Sequence, residues 1–175
     1  GDSSTQAITF NDTDTDMSPN LVWIKGRTGD YGISNHKLYD TVRGTTKTLF
    51  PNLAAAESTQ TDTLTTFGSD GFTLGDDTNV NEDGTTYVAW CWKESATAGF
   101  DMVSYTGDGN SARNIAHSLS AAPSFLIYKN IASTDSWNIQ HDGLTSYDYY
   151  MRFNSTGAEA NNIDVGPTAP TSSVV

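Results

Sequence analysis

The chain has 175 residues, 36% hydrophobic and 11% aromatic, with 21 acidic against nine basic side chains and a formal net charge of -12. So few cations cannot displace the counterions of a phosphate backbone, which excludes nucleic acid as a partner, and the same sign argues against an anionic membrane surface. A single cysteine, Cys91, excludes an intrachain disulfide, and no run approaches the roughly 20 consecutive apolar residues of a membrane-spanning helix.

The chain opens on GDSSTQAITF, in which ITF is the first short apolar run. NDTDTD follows, with Asp12, Asp14 and Asp16 at alternate positions. Such a loop is a candidate calcium wrap, because Ca²⁺ collects oxygen ligands from alternate positions of a turn; the other reading is a solvated loop. LVWIK and HKLYDTV then read as strands, and LAAAES, Leu53 to Ser58, is the one stretch of briefly helical composition.

FTLG and TYVAWCWK are the next strands, separated by DDTNVNEDG, in which Asp77, Asn79, Asn81 and Asp83 alternate. This second calcium candidate lacks the sixth-position glycine and the acidic twelfth residue of an EF-hand loop, and EDG at Glu82 to Gly84 also reads as a hairpin turn. In TYVAWCWK, Tyr87, Ala89 and Cys91 face one side while Val88, Trp90 and Trp92 face the other. Apolar residues on both faces predict a central strand, or one covered by a neighbouring module, with Trp23, Trp90 and Trp92 in the core and Cys91 as a buried thiol.

FDMVSY, FLIYK, SWNIQH and YYMRF complete the strands. YTGDGNS, after the first of them, has neither a following helix nor a Lys-Ser/Thr pair and is a turn, not a phosphate cradle. Trp137, Tyr147, Tyr149 and Tyr150 sit among polar residues and are the candidate binding residues, since exposed rings stack on sugars or fill interfaces; the alternative is packing between modules or subunits.

His36, His117 and His141 lie on separate strands without metal-ligand spacing, no nucleophile elbow is present, and the few glutamates stand in loop-like or helical context. No catalytic residue, metal site or cofactor is assigned. Short period-two strands bounded by turn residues predict an all-β fold of antiparallel sandwich or jelly-roll type.

The chain also repeats itself. GDSSTQAITF answers GNSARNIAHSL, SPNLVWIK answers APSFLIYK with Pro19 and Lys25 matched to Pro123 and Lys129, Tyr39-Asp40 answers His141-Asp142, and LFPN answers MRFN. An ordered, drifting offset is what two diverged copies of one unit produce. The expectation is two sandwich modules in tandem, 1–95 without its first strand and 99–175 without its last strands, TSSVV standing where GFTL would fall. On this reading the chain is a window on a longer polypeptide.

The run from SPNLVWIKGR through HKLYDTVRG, LTTFGSDGFTLG and TYVAWCWK to APSFLIYKN resembles the repeated module of large structural proteins of marine bacteriophages, a module often accompanied by lectin-like sandwich domains. The resemblance implies a non-catalytic tail-fibre or adhesin module on the virion surface. Its implied partners are other virion proteins and copies of itself, a homo-oligomer with a trimer favoured, and a host-surface glycan. A capsid decoration protein and a secreted glycan-binding or glycan-cleaving protein are the alternatives.

Overall fold

A computed structural model describes residues 1–10, 16–28, 35–110, 113–162 and 168–175. Its elements are β1 (Gln6–Thr9), β2 (Leu21–Gly26), β3 (Lys37–Asp40), β4 (Gly44–Leu49), β5 (Ser58–Thr59), β6 (Leu64–Gly68), β7 (Gly71–Leu74), the single-turn helix α1 (Thr78–Asn81), β8 (Tyr87–Trp92), β9 (Phe125–Tyr128), β10 (Asn138–His141), β11 (Tyr149–Arg152) and β12 (Ala160–Asn161). They form three antiparallel sheets in the orders β1-β7-β6, β5-β4-β3-β2-β8 and β12-β11-β10-β9.

The first two sheets make a sandwich. Alternation along β2 sends Val22 and Ile24 inward, where they meet Tyr39 of β3, Leu64 of β6, Phe72 and Leu74 of β7, and Val80 of α1. Gly71 is required where β7 meets β1: its φ is +119°, and a Cβ there would lie 2.0 Å from the Ile8 carbonyl oxygen. The opposite face of the five-stranded sheet carries Leu21, Trp23, Leu38 and Leu49, and against it pack Trp137 and Phe153 from the far end of the chain.

The third sheet repeats four strands of the second. β9 pairs with β10 as β2 pairs with β3, and β11 joins β10 to β12 as β4 joins β3 to β5. The register repeats too: Trp23, Leu38 and Leu49 lie side by side on one face, and so do Ile127, Ile139 and Met151. Asn52 Oδ1 accepts from His36 N at 3.0 Å, and Asn154 Oδ1 accepts from Trp137 N at 3.1 Å. Thr41 N donates to Asn20 O at 2.9 Å, as Asp142 N does to Ser124 O at 3.0 Å. Near the other end, Ala116 bridges Val174 as Ile8 pairs with Phe72. These pairings correct one match made from sequence: Asp40 stands opposite Leu21 and His141 opposite Phe125, so Asp40 corresponds to His141, one residue from the Asp40 to Asp142 match.

Four further expectations change. The TYVAWCWK strand faces both ways as its alternation predicts, with Tyr87 and Cys91 on the core side, but β8 is an edge strand and Trp90 and Trp92 are 44% and 37% exposed. On its second apolar face Trp90 meets the Trp23 ring of β2 and Trp92 stacks on Phe100, and among the described residues no further layer buries it. Residues 53–58 are not helical, because the Ala54 carbonyl accepts from Asp135 N and Glu57 N donates to Ile131 O, committing this backbone to tertiary partners. FDMVSY forms no strand; only Phe100 bridges to Ser95, and Val103 and Tyr105 are exposed, since no neighbouring strand offers them a ladder among the described residues. The EDG turn exists, with Gly84 at φ +73°, but it follows α1 and leads to β8, which lies in a different sheet from β7, so no hairpin forms.

Candidate functional site

The chemistry of the described surface is concentrated on the outer face of the five-stranded sheet and on its continuation in the third sheet. Trp23 is the hub. Its ring makes edge contacts with His36 at 5.6 Å, Trp90 at 5.7 Å and Phe153 at 5.4 Å between centroids. Its indole N–H donates to His36 Nδ1 at 2.9 Å, so a neutral His36 carries its proton on Nε2. Burial, and then the positive charge of Lys25, hold His36 below the ordinary histidine range. Next to this group Trp92 stacks on Phe100 at 6.3 Å with 28° between the planes. Trp90, Trp92 and Phe100 therefore present an aromatic strip along the β8 edge.

The docking of the third sheet is built around Trp137, which is 5% exposed. Its indole N–H is shared between Phe50 O and Leu53 O, both at 3.1 Å. Beneath this contact an ion network fixes the β3–β4 turn. Arg43 Nε donates to Asp40 Oδ2 at 2.7 Å, while Arg43 Nη1 reaches Glu57 Oε2 and Lys47 O, each at 3.1 Å. The Arg43 and Asp40 side chains are both 9% exposed, so these charges are screened little by water. Glu57 then ties the network to the docked loop through its backbone bond to Ile131 O at 3.0 Å.

Of the two readings of Trp137, an exposed binding ring and packing between modules, the structure has the second: Trp137 is buried and anchors a contact with Leu38 and Leu49 of the first sandwich. Tyr147, Tyr149 and Tyr150 are half-buried along β11 and the turn before it and do not gather into one site: Tyr147 O accepts from Gln140 Nε2 at 2.6 Å, and Tyr150 faces the Arg152 guanidinium at 6.0 Å. Beside Tyr150 and Arg152 a shallow, open depression of about 250 Å³ is completed by Ser155, Gly157, Ala158 and Ala160.

Of the calcium candidates, Asp12 and Asp14 lie outside the described residues and Asp16 is exposed. Asp77 caps α1, its Oδ1 accepting from Asn79 N at 2.8 Å, and Asn81 is buried with its side-chain amide donating to Gly75 O at 2.9 Å. Asp83 is exposed, and its N–H bonds Ser3 Oγ at 2.9 Å. Among the described residues no three or more His, Cys, Asp or Glu side chains are placed to hold a metal.

Sequence reasoning did not pair Glu94 with Asp101. Burial first, and then a hydrogen bond to Asp101, raise the Glu94 carboxyl above its usual range, while hydrogen bonds from Ser118 hold Asp101 low against the effect of burial. Asp101 accepts from Ser118 N and Met102 N, and Glu94 N donates to Asn20 Oδ1. These bonds pin the connection leading away from β8. Burial pushes the Cys91 thiol up to about 11, which keeps it protonated and unreactive at neutral pH.

The fold and these surfaces define an all-β sandwich protein whose most conspicuous features are interfaces. The chain belongs to the family described as "Domain of unknown function (DUF7483)", whose profile matches residues 1–175. No curated protein and no solved structure matches the chain.

Proposed function

We propose that the chain is a non-catalytic structural module of a virion, of the tail-fibre or adhesin kind, built from two units of one fold at residues 1–95 and 99–175. The observation that carries this reading is the recurrence of strand order, register and the Asn52 and Asn154 hydrogen bonds, with the second unit anchored on the first through Trp137. Units that cover each other's apolar faces suit an extended load-bearing array, and a net charge of -12 keeps dense copies from aggregating. The virion assignment is supported by the resemblance of the sequence to marine phage modules. Its partners on this reading are other virion proteins and copies of itself, as a homotrimer.

Immunogold electron microscopy of particles encoded by a genome carrying this chain tests the reading. Label on the tail fibres is the expected result. Label on the head would transfer the module to capsid decoration, and particles without label would remove it from the virion.

A second reading, contact with a host-surface glycan, is favoured by the exposure of Trp90 and Trp92 on one side of β8. Quenching of tryptophan fluorescence by host polysaccharide, lost in Trp90→Ala with Trp92→Ala, is its expected signature. Quenching that survives both substitutions would rule out this surface.

A further inference from the structure

We infer that the free edge of β9 is a docking site for an extended strand of β8's chemistry, taken up antiparallel and carrying large apolar side chains at alternate positions. The inference rests on the two-unit reading and not on where the molecule works. In the first sandwich β2 is flanked by β3 on one side and by β8 on the other, along a ladder that runs from Leu21 opposite Trp92 to Gly26 opposite Tyr87. β9 occupies the place of β2 beside β10, and among the described residues no strand lies on its other side.

Alternate N–H and C=O groups of an edge strand point sideways without a ladder, and proteins normally blunt such an edge with proline, a charge or a bulge. Phe125–Tyr128 reads FLIY, has none of these, and keeps a regular register with β10. The side chains point the same way. Phe125 and Ile127 are 50% and 43% exposed, at the positions where Leu21 and Trp23 lie beside Trp92 and Trp90. A strand with large rings two residues apart covers both residues while its backbone completes the ladder, the combination that gives strand addition its affinity and its specificity.

The test uses the whole chain with a synthetic peptide of the sequence 85–93, serine replacing Cys91, and a twin methylated at alternate backbone nitrogens. The twin keeps the side chains and loses the donors. The expected result is a rise of at least about ten-fold in hydrogen-exchange protection at Phe125–Tyr128 with the peptide and none with the twin. Ile127→Pro is expected to abolish binding while β2 and β8 amides stay protected, which reports an intact first sandwich. No protection, protection at another edge, or equal binding of the twin overturns the inference. So does concentration-dependent protection of β9 without peptide, which assigns the edge to a second copy of the chain. Protection along β9 and β10 before peptide is added reports the third sheet itself, so failure of the two-unit reading shows separately.

Discussion

Trp137 is buried with its indole N–H shared between two carbonyl oxygens, whereas Trp90 leaves nearly half of its surface in water. Trp137→Ala therefore removes a large buried ring and is expected to cost about 3–5 kcal/mol in denaturant melts. Trp90→Ala, at an edge, is expected to cost about 1–2 kcal/mol, below the core-sized loss its sequence context suggests. Equal losses at the two sites would contradict the burial assigned to them. Alkaline pH probes the core at the same scale. Burial raises the Tyr39 and Tyr128 hydroxyls from 10.0 to about 12 and the Cys91 thiol from 9.0 to about 11. The fold thus keeps protons that the unfolded chain releases first. Their contribution is full below pH 9 for Cys91 and pH 10 for the tyrosines, and is lost as pH rises through the folded values. Lys37 and Lys129, lowered by burial, act in the opposite sense below 10.5, against these three groups and Tyr87, which burial also raises. The melting temperature is expected to fall between pH 9 and pH 12. Among the described residues the Tyr39 hydroxyl has no hydrogen-bond partner of good geometry, although Thr48 and Thr63 are its neighbours, so Tyr39→Phe should change neutral-pH stability by no more than about 1 kcal/mol and flatten the alkaline fall. An unchanged slope in the variant would show that Tyr39 is not a source of the loss.

At the scale of elements, the β3–β4 turn depends on Arg43, which neutralises Asp40 and Glu57 and caps Leu38 O and Lys47 O. Arg43→Ala leaves the buried Asp40 carboxylate without its cation, while Glu57 keeps Lys47 Nζ at 3.7 Å, and is expected to cost about 3–5 kcal/mol. Because Glu57 also holds Ile131 O, the same variant should loosen the Trp137 contact, visible as a red shift of tryptophan emission; a stability loss with unchanged emission would separate turn from interface. β2 and β9 are legible in the sequence, because LVWI and FLIY are short continuous apolar runs bounded by turn residues. β4 is not: GTTKTL is stabilised by its place between β3 and β5, and its threonines give no apolar period. FDMVSY errs the other way, since a strand-like composition forms no strand without a neighbour to pair with. The site was less legible than the fold. The polar setting of Trp137 left both a binding ring and packing between modules open, and its acceptors, Phe50 O and Leu53 O, are more than eighty residues away in sequence.

For the whole molecule, the account stands on the strand order and register that the third sheet shares with four strands of the second, with Trp137 and Phe153 packed on the second sheet's outer face. Short sequence matches suggest a repetition, and four strands in each half have equivalent pairings. What the sequence alone does not reveal is the way the units meet, because the contact depends on Leu38, Leu49, Trp137 and Phe153 arriving from both. The most direct test is a nuclear magnetic resonance map of interstrand backbone contacts in the whole chain. The account predicts contacts for Ile127 with Ile139, Ile139 with Met151 and Tyr149 with Asn161, mirroring Trp23 with Leu38, Leu38 with Leu49 and Lys47 with Thr59. A map placing β9 beside β11 or β12, or shifting β10 by a residue against β9, would contradict it.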